Sequence, residues 1–414
     1  MTPLLLSSYT ATTCLGRGLA ALRPAIHEGR SGLLPCAFET VELATWIGEV
    51  PAVDSERLPA ALAHYDCRNN RLTQMGLETD GFADRVRAAI ARYGKTRVGI
   101  FLGTSTAGIL QTELAYRRRD PQSGALPDDF HYRTTHNSFS LAEFTRDYFG
   151  LQGMAMAIST ACSSSAKVFA AAARQLELGS IDAAIVGGVD TLCLTTLYGF
   201  ASLQLTSAQP CRPYDAARNG ISVGEGAAFA LLERAGDPAP GSVLLLGTGE
   251  SSDAYHMSSP HPEGLGARLA MEAALRSAGL ATADIGYINL HGTATPANDA
   301  AEGKAVAALI GNTVPRQHMM DWVLEQCRMI EDAITDAGIK LMYAENWVYA
   351  PALQKARRLI EASRGVVLRM VAEESHNGSH ASYAKYWRLA GGGSLLRTGS
   401  HPVGGVLYLK QAEG

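Results

Sequence analysis

Cys162 stands in the run Ser159-Thr160-Ala161-Cys162-Ser163-Ser164-Ser165, between an apolar stretch, Met154–Ile158, and a long alanine-rich segment, Ser163–Leu178. The stretch has the composition of a buried strand. The segment carries Ala, Val, Phe and Leu at helical spacing as far as Gly179. Small residues on both sides of the cysteine permit a sharp turn and close approach of a substrate. A thiol at a helix N-terminus meets the positive end of the dipole and free backbone N–H groups, and both favour the thiolate. The thiolate is the nucleophilic form. Cys14, Cys36, Cys67, Cys193, Cys211 and Cys327 lack this setting and are expected to be structural.

His291 closes a short apolar run, Tyr287–Leu290, and opens the motif His291-Gly292-Thr293-Ala294-Thr295-Pro296. A strand end before a Gly-Thr turn is a place for function rather than packing. A neutral imidazole there can donate a hydrogen bond to a developing oxyanion. Thr293 and Thr295 present small hydroxyls on alternate positions; ordinary turn capping is the competing reading.

The elements that must position these groups follow from the hydrophobic pattern. Arg97–Leu102 reads as a buried strand followed by a Gly/Ser/Thr turn at Gly103–Gly108. Ala183–Val186 is a strand running into Gly187-Gly188, and Phe229–Leu232 and Ser242–Leu246 are two more, separated by a linker at Asp237–Gly241. Gly266–Ala278 is a helix stopped by Gly279, and Tyr287–Leu290 is a short strand. Strand, helix and strand in repeated order predict α/β layers with buried sheets. The linker divides two similar programmes, each ending in a reactive residue, which points to a duplicated α/β half.

Composition bounds the rest. Of 414 residues 47% are hydrophobic and 18% charged, enough apolar material for a large core and too much for a disordered chain. Lys and Arg number 36 against 40 Asp and Glu, a net charge of −4 that gives no drive toward nucleic acid. No apolar run reaches the ~18 residues of a membrane helix, and Met1–Leu6 lacks the pattern of a signal peptide. Seven cysteines without CxxC pairs argue against a disulfide framework and a zinc ribbon, and fit a reducing cytoplasm.

The ordered set STACSSSA (159–166), AIVGGVD (184–190), CRPYDAARNGISVGEGAA (211–228) and INLHGTATPANDAAEGKAV (288–306) resembles the β-ketoacyl-acyl-carrier-protein synthases over residues 1–315. The resemblance implies a thiolase-like layered fold of two related α/β halves and a homodimer. It implies decarboxylative Claisen condensation, with acyl carrier protein and acyl and malonyl thioesters as partners and no cofactor or metal. Cys162 becomes the nucleophile, His291 one of two active-site histidines, and Thr293 and Thr295 contacts to the pantetheine amides. Arg117, Arg118 and Arg119, with Arg68 and Arg71, offer a surface for an acidic carrier, against the alternative of a solvated charged face. Arg212, Asp215, Arg218, Gly220, Gly224, Glu225 and Gly226 read as a structural loop.

After Pro315 the family pattern stops. Neither a Lys-x-x-x-Gly-His-Thr segment, source of the lysine and the second histidine, nor a Gly-Phe-Gly-Gly-x-Asn turn occurs. His318, His376, His380 and His401 lack that context. Glu302, whose family counterpart pairs with the missing lysine, is expected to be left without a partner. Residues 316–414, through the runs at 340–362 and 389–401, resemble a fragment of the NAD(P)-dependent dehydrogenases of the glucose–fructose oxidoreductase and inositol dehydrogenase type, but no GxGxxG turn accompanies them. The organisation expected is therefore 1–238, an N-terminal ketosynthase half; 239–315, the start of the second half; and 316–414, a foreign α+β segment completing it, so that the chain looks chimeric. The expected activity is ketosynthase, with condensation impaired. The alternatives are a non-catalytic ketosynthase-like subunit, a misfolded chimera, or an oxidoreductase.

Overall fold

A computed structural model describes residues 1–256, 259–311 and 358. The expected strands and helices of 316–414 lie outside the described residues, apart from position 358. The chain divides into two compact units, Met1–Met319 and Met320–Gly414.

The strands of the first unit are β1 (Leu4–Thr13), β2 (Gly16–Arg17), β3 (Leu34–Pro35), β4 (Trp46–Gly48), β5 (Val98–Gly103), β6 (Ala155–Ile158), β7 (Ala183–Asp190), β8 (Val223–Gly224), β9 (Gly226–Arg234) and β10 (Leu244–Leu245). Its helices are α1 (Leu19–His27), α2 (Arg68–Leu77), α3 (Phe82–Tyr93), α4 (Ile109–Arg117), α5 (Ser140–Phe149), α6 (Ser164–Glu177), α7 (Leu194–Ser202), α8 (Leu265–Ala278) and α9 (Pro296–Ile310). The large sheet runs β10-β1-β9-β7-β5-β6, with β2 hairpinned onto β1. β5, β6 and β7 are parallel, while β9 pairs antiparallel with both β7 and β1. A small sheet joins β3, β4 and β8.

Alternation along the central strands separates two cores. Ile100, Leu102, Ile185 and Leu231 face α2, α3 and α5, packing with Leu72, Met75, Phe82, Val86 and Leu141. Phe101, Ala184, Val186 and Leu232 face α6 and pack with Val168, Ala172 and Leu176. Because both faces of β5 and β7 are covered, these strands are apolar along their length, up to Asp190 at the end of β7, rather than at every second position. The parallel register also brings the C-terminal ends of β5, β6 and β7 to one edge of the sheet, where open α/β sheets carry their ligands.

The N-terminal pattern holds, with boundaries moved by one to four residues: the strand expected at Ala183–Val186 runs through Gly187-Gly188 to Asp190, and the one expected at Phe229–Leu232 spans Gly226–Arg234. Two expectations change. Ser242–Leu246 contributes only Leu244–Leu245, paired to β1, so the chain beyond the linker adds to the first sheet. Tyr287–Leu290 forms no strand: no described strand lies beside it to complete its hydrogen bonds, and Tyr287 is 77% exposed. No helix among the described residues is long and apolar enough to cross a membrane.

Candidate active site

Cys162 lies between the end of β6 and the start of α6, in a turn built by its serine and threonine neighbours. Ala161 takes a left-handed backbone, φ 52°. The Ser164 hydroxyl donates to the Ala161 carbonyl at 2.6 Å and accepts the Thr160 N–H at 2.9 Å. The Ser163 hydroxyl donates to the Thr160 carbonyl at 3.0 Å. The serine cluster thus closes the turn internally and leaves Cys162 exposed.

His291 reaches the same point from the other side of the linker. Hydrogen-bonding interaction with the His291 imidazole draws the Cys162 thiol pKa down, against the desolvation that raises it. The same interaction draws the imidazole pKa up. The two reactive residues marked in the sequence, 129 positions apart by numbering (291 − 162), therefore form one pair.

The helix terminus is not what distinguishes Cys162. Cys67 is the N-cap of α2 and Cys193 the N-cap of α7. Both are buried, and burial pushes Cys67 up to about 12 and raises Cys193 as well. A cysteine at a helix start ionises readily only when water or a cation reaches it. Cys162 has both exposure and His291.

The His291 turn is held by α9. Glu302 Oε1 accepts the His291 N–H at 2.6 Å, and Oε2 accepts the Gly292 N–H at 2.9 Å and the Tyr214 hydroxyl at 2.8 Å. The expectation of an unpartnered Glu302 is therefore corrected: backbone N–H groups and a phenol occupy the carboxylate. Asp299, one turn earlier on the same helix face, is buried. It accepts the Ala294 N–H at 3.1 Å and the Tyr214 N–H at 2.8 Å, and pairs with Arg218 at 3.4 Å. Gly292 and Ala294 both take left-handed backbones, φ 53° and 61°, a tight turn that these carboxylates stabilise. Sequence reasoning passed over Asp299 and Tyr214. The available signal was the i, i+3 carboxylate pair at the start of the helix that follows the HGTATP motif.

Thr293 and Thr295 lie in this turn. Their hydroxyls are 2.8 Å apart and hydrogen-bond to each other, and Thr295 is only 8% exposed. Thr293 is the more accessible of the two.

The basic residues separate into two groups. Arg68 is 4% exposed and donates to the fully buried Glu225 through Nε at 2.9 Å and Nη2 at 2.7 Å, and to Asp54 at 2.7 Å. It cannot serve a carrier surface, because a buried guanidinium is stable only among acceptors that satisfy it. Arg71 is clamped to Asp66 at 2.6 Å. Arg117, Arg118 and Arg119 are exposed; Arg117 contacts Thr40 and Glu39, and Arg118 pairs with Asp129. Glu225 also accepts the Val50 and Leu192 N–H groups, which matches the structural reading of its loop.

Family models of the β-ketoacyl synthase N-terminal domain match residues 73–237, and those of the C-terminal domain match residues 243–321. The chain is 33% identical over 308 residues to 3-oxoacyl-[acyl-carrier-protein] synthase 2 of Vibrio cholerae, covering 71% of this chain and 73% of that protein. The chain belongs to the β-ketoacyl synthase family. Among solved β-ketoacyl synthase structures, a ketosynthase in complex with its chain length factor from Xenorhabdus doucetiae superposes with a TM-score of 0.68 at 35% identity, covering 76% of this chain and 77% of that one. A β-ketoacyl synthase from Burkholderia phymatum gives a TM-score of 0.64 at 25% identity, covering 75% and 79%. Nodulation protein E of Rhizobium meliloti is 33% identical over 221 residues, 52% of this chain and 54% of its own length. The thiolase-like α/β fold of this ketosynthase accounts for the parallel strand ends that carry Cys162.

Proposed function

We infer that the protein is a 3-oxoacyl-acyl-carrier-protein synthase in which Cys162 carries the acyl group and His291 assists both half-reactions. The observation that carries this reading is the Cys162–His291 pair, formed at the C-terminal edge of the sheet from two distant motifs. The Cys162 thiolate attacks the carbonyl carbon of an acyl thioester, and the carrier thiol departs with the proton that Cys162 and His291 shared. The Cys162 N–H, at the start of α6, serves as an oxyanion donor. Malonyl-carrier then loses CO2, and its enolate carbon attacks the acyl-Cys162 carbonyl. Cys162 leaves as thiolate and a 3-oxoacyl-carrier is released. His291 donates to the malonyl thioester oxygen while the enolate exists.

Thr293 contacts the pantetheine arm, with Thr295 holding its hydroxyl in place. Arg117, Arg118 and Arg119 meet the acidic carrier protein. A relative named for the acyl carrier protein supports a carrier-dependent synthase, and one solved as a ketosynthase in complex with its chain length factor supports the ketosynthase reading. We assign the domains as 1–238, 239–315 and 316–414, the assembly as a homodimer, and the location as the cytoplasm, where six described cysteines remain free. We read 316–414 as an oxidoreductase-like segment on its sequence alone. Because that segment lacks the second histidine and the lysine, acyl transfer outpaces condensation.

The test is incubation with acyl-carrier, followed by mass spectrometry of the Cys162 peptide. Acylation of Cys162 in the wild type, and its loss in Cys162→Ala, is the expected result. Acyl uptake that survives Cys162→Ala overturns the assignment.

A further inference from the structure

Asp190 ends β7, two residues past the register pair Gly103–Gly188 that joins β7 to β5. Its carboxylate accepts from three consecutive residues of the loop after β5. Oδ1 takes the Thr104 hydroxyl at 3.0 Å, the Ser105 N–H at 2.7 Å, and the Thr106 N–H and hydroxyl at 2.9 Å each. Oδ2 takes the Ser105 hydroxyl at 2.9 Å. The Thr106 hydroxyl in turn accepts the Thr191 N–H at 2.9 Å, and Thr104 and Thr106 are both buried. The loop is wrapped around this one carboxylate.

The loop is also fastened to the turn that presents Cys162. The Thr104 N–H donates to the carbonyl of Ile158, the last residue of β6, at 3.1 Å. A Cβ on Gly103 would stand 2.5 Å from the Ser164 carbonyl carbon and the Ser165 nitrogen, and one on Gly188 2.6 Å from Ser165 Cβ. The ends of β5 and β7 therefore touch the first turn of α6 without slack. A shift of the 104–106 loop is passed to the backbone on which Cys162 sits.

We propose that Asp190 is a positioning residue for acyl transfer, clamping Thr104–Thr106 so that Gly103 and Gly188 set the height of the Cys162 turn. The inference rests on Cys162 being the acyl acceptor. It goes further by assigning a role to a carboxylate that touches neither the thiol nor the substrate. The charged groups that face Cys162 are His291, which favours the thiolate, and Asp190, which opposes it; Glu302 and Asp299 act on His291. A neutral clamp would hold the loop without that opposition, so the charge gives the role a separate readout.

Full-length Asp190→Ala, Asp190→Asn and Cys162→Ala are compared with the wild type, using octanoyl-coenzyme A as acyl donor and iodoacetamide as thiol probe. Asp190→Ala loses every loop contact. Its acylation rate is expected to fall about 10²-fold, the cost of misplacing a reacting group by an ångström, at unchanged half-saturating donor concentration. Asp190→Asn keeps Oδ1 as acceptor and offers its amide to the Ser105 oxygen. It retains acylation, while the pH profile of Cys162 alkylation moves to lower pH. A folded Asp190→Ala protein acylating at the wild-type rate overturns the proposal, as does an Asp190→Asn profile that stays in place or moves up. Should Asp190→Ala fail to fold, the acylation rate of Asp190→Asn decides: a rate about 10²-fold down although the loop keeps its Oδ1 acceptor overturns the proposal. Acyl uptake by Cys162→Ala faults the acyl-acceptor reading instead, and the iodoacetamide profile still judges the placement of Asp190.

Discussion

Glu302, on α9, reaches back across eleven positions to the turn that carries His291, its Oε1 accepting the His291 N–H at 2.6 Å. Its other oxygen binds the next N–H and the Tyr214 hydroxyl, so one carboxylate ties the histidine to a second loop. The two bonds to the His291 turn come from backbone N–H groups, which makes the position of His291 independent of its own side-chain chemistry. Asp299, one turn earlier on α9, repeats the arrangement by accepting the Ala294 and Tyr214 N–H groups.

This tie predicts that Glu302→Ala lowers acyl transfer by about 10²-fold through misplacement of His291. It also lowers stability by about 1–3 kcal/mol, because two N–H groups lose their acceptor. Tyr214→Phe removes a single bond to Glu302 and costs about 1 kcal/mol. Steady-state acylation and urea unfolding measure the two effects. An unaffected rate in Glu302→Ala would show that the turn keeps its shape without the carboxylate.

The Cys162–His291 pair fixes a pH dependence. The imidazole lowers the thiol pKa, so the thiolate persists to lower pH than that of an ordinary cysteine near 8.5. At neutral pH iodoacetamide is therefore expected to label Cys162, which is exposed, ahead of Cys211, which is half-buried. His291→Ala removes the imidazole that holds the thiol pKa down, and the alkylation midpoint rises toward the ordinary thiol value. Peptide mapping after brief labelling at several pH values reads both. Equal labelling of Cys162 and Cys211 at neutral pH would contradict a specially activated thiol.

The contrast among the cysteines shows what the sequence could and could not carry. The strand–Cys–helix pattern located Cys162, because apolar runs and helical spacing are local. The same pattern of helix starts at Cys67 and Cys193 gives the opposite pKa, because burial and a histidine from 129 positions away (291 − 162) are not local. Arg68 misled for the same reason. It reads as a surface charge until Glu225, 157 positions away, is seen against it. Tyr287–Leu290 has a strand's composition, but a strand needs a neighbour, and composition does not supply one.

Arg68 and Arg119 are therefore expected to separate stability from carrier binding. Arg68→Ala leaves Glu225 buried without its cation and should cost about 3–5 kcal/mol of stability, with little change in carrier affinity among molecules that remain folded. Arg119 is exposed, and its guanidinium has no hydrogen-bond or ion-pair partner among the described residues. Arg119→Glu should leave the melting temperature in place. It should weaken carrier binding in a manner that fades as salt rises, since exposed charges are screened within about 8 Å at physiological ionic strength. Thermal melts and carrier titrations at two salt concentrations decide. A salt-independent loss at Arg119, or a carrier defect without a stability defect at Arg68, would reverse the assignment.

The last prediction separates the two half-reactions. On the proposed mechanism acyl transfer uses the thiolate, His291 and the Cys162 N–H, all of which lie within the family-matched residues. Condensation on that mechanism uses a further donor at the malonyl thioester oxygen, which the family resemblance assigns to a second histidine supported by a lysine; the sequence after Pro315 carries no segment of that pattern. Removal of one well-placed oxyanion donor costs about 2.7–4 kcal/mol, or about 10²–10³ in rate. The losses of the histidine and the lysine are not additive, since the two act as a unit. Condensation should then run at least about 10²–10³ below acyl transfer, with slow hydrolysis of the Cys162 thioester filling the gap. Paired measurement of acyl-carrier consumption and of 3-oxoacyl product by mass tests the ratio. Product formation as fast as acylation would mean that His318, His376, His380 or His401 supplies the second imidazole. Alanine substitution at each of the four would then identify it by abolishing condensation while leaving Cys162 acylation intact.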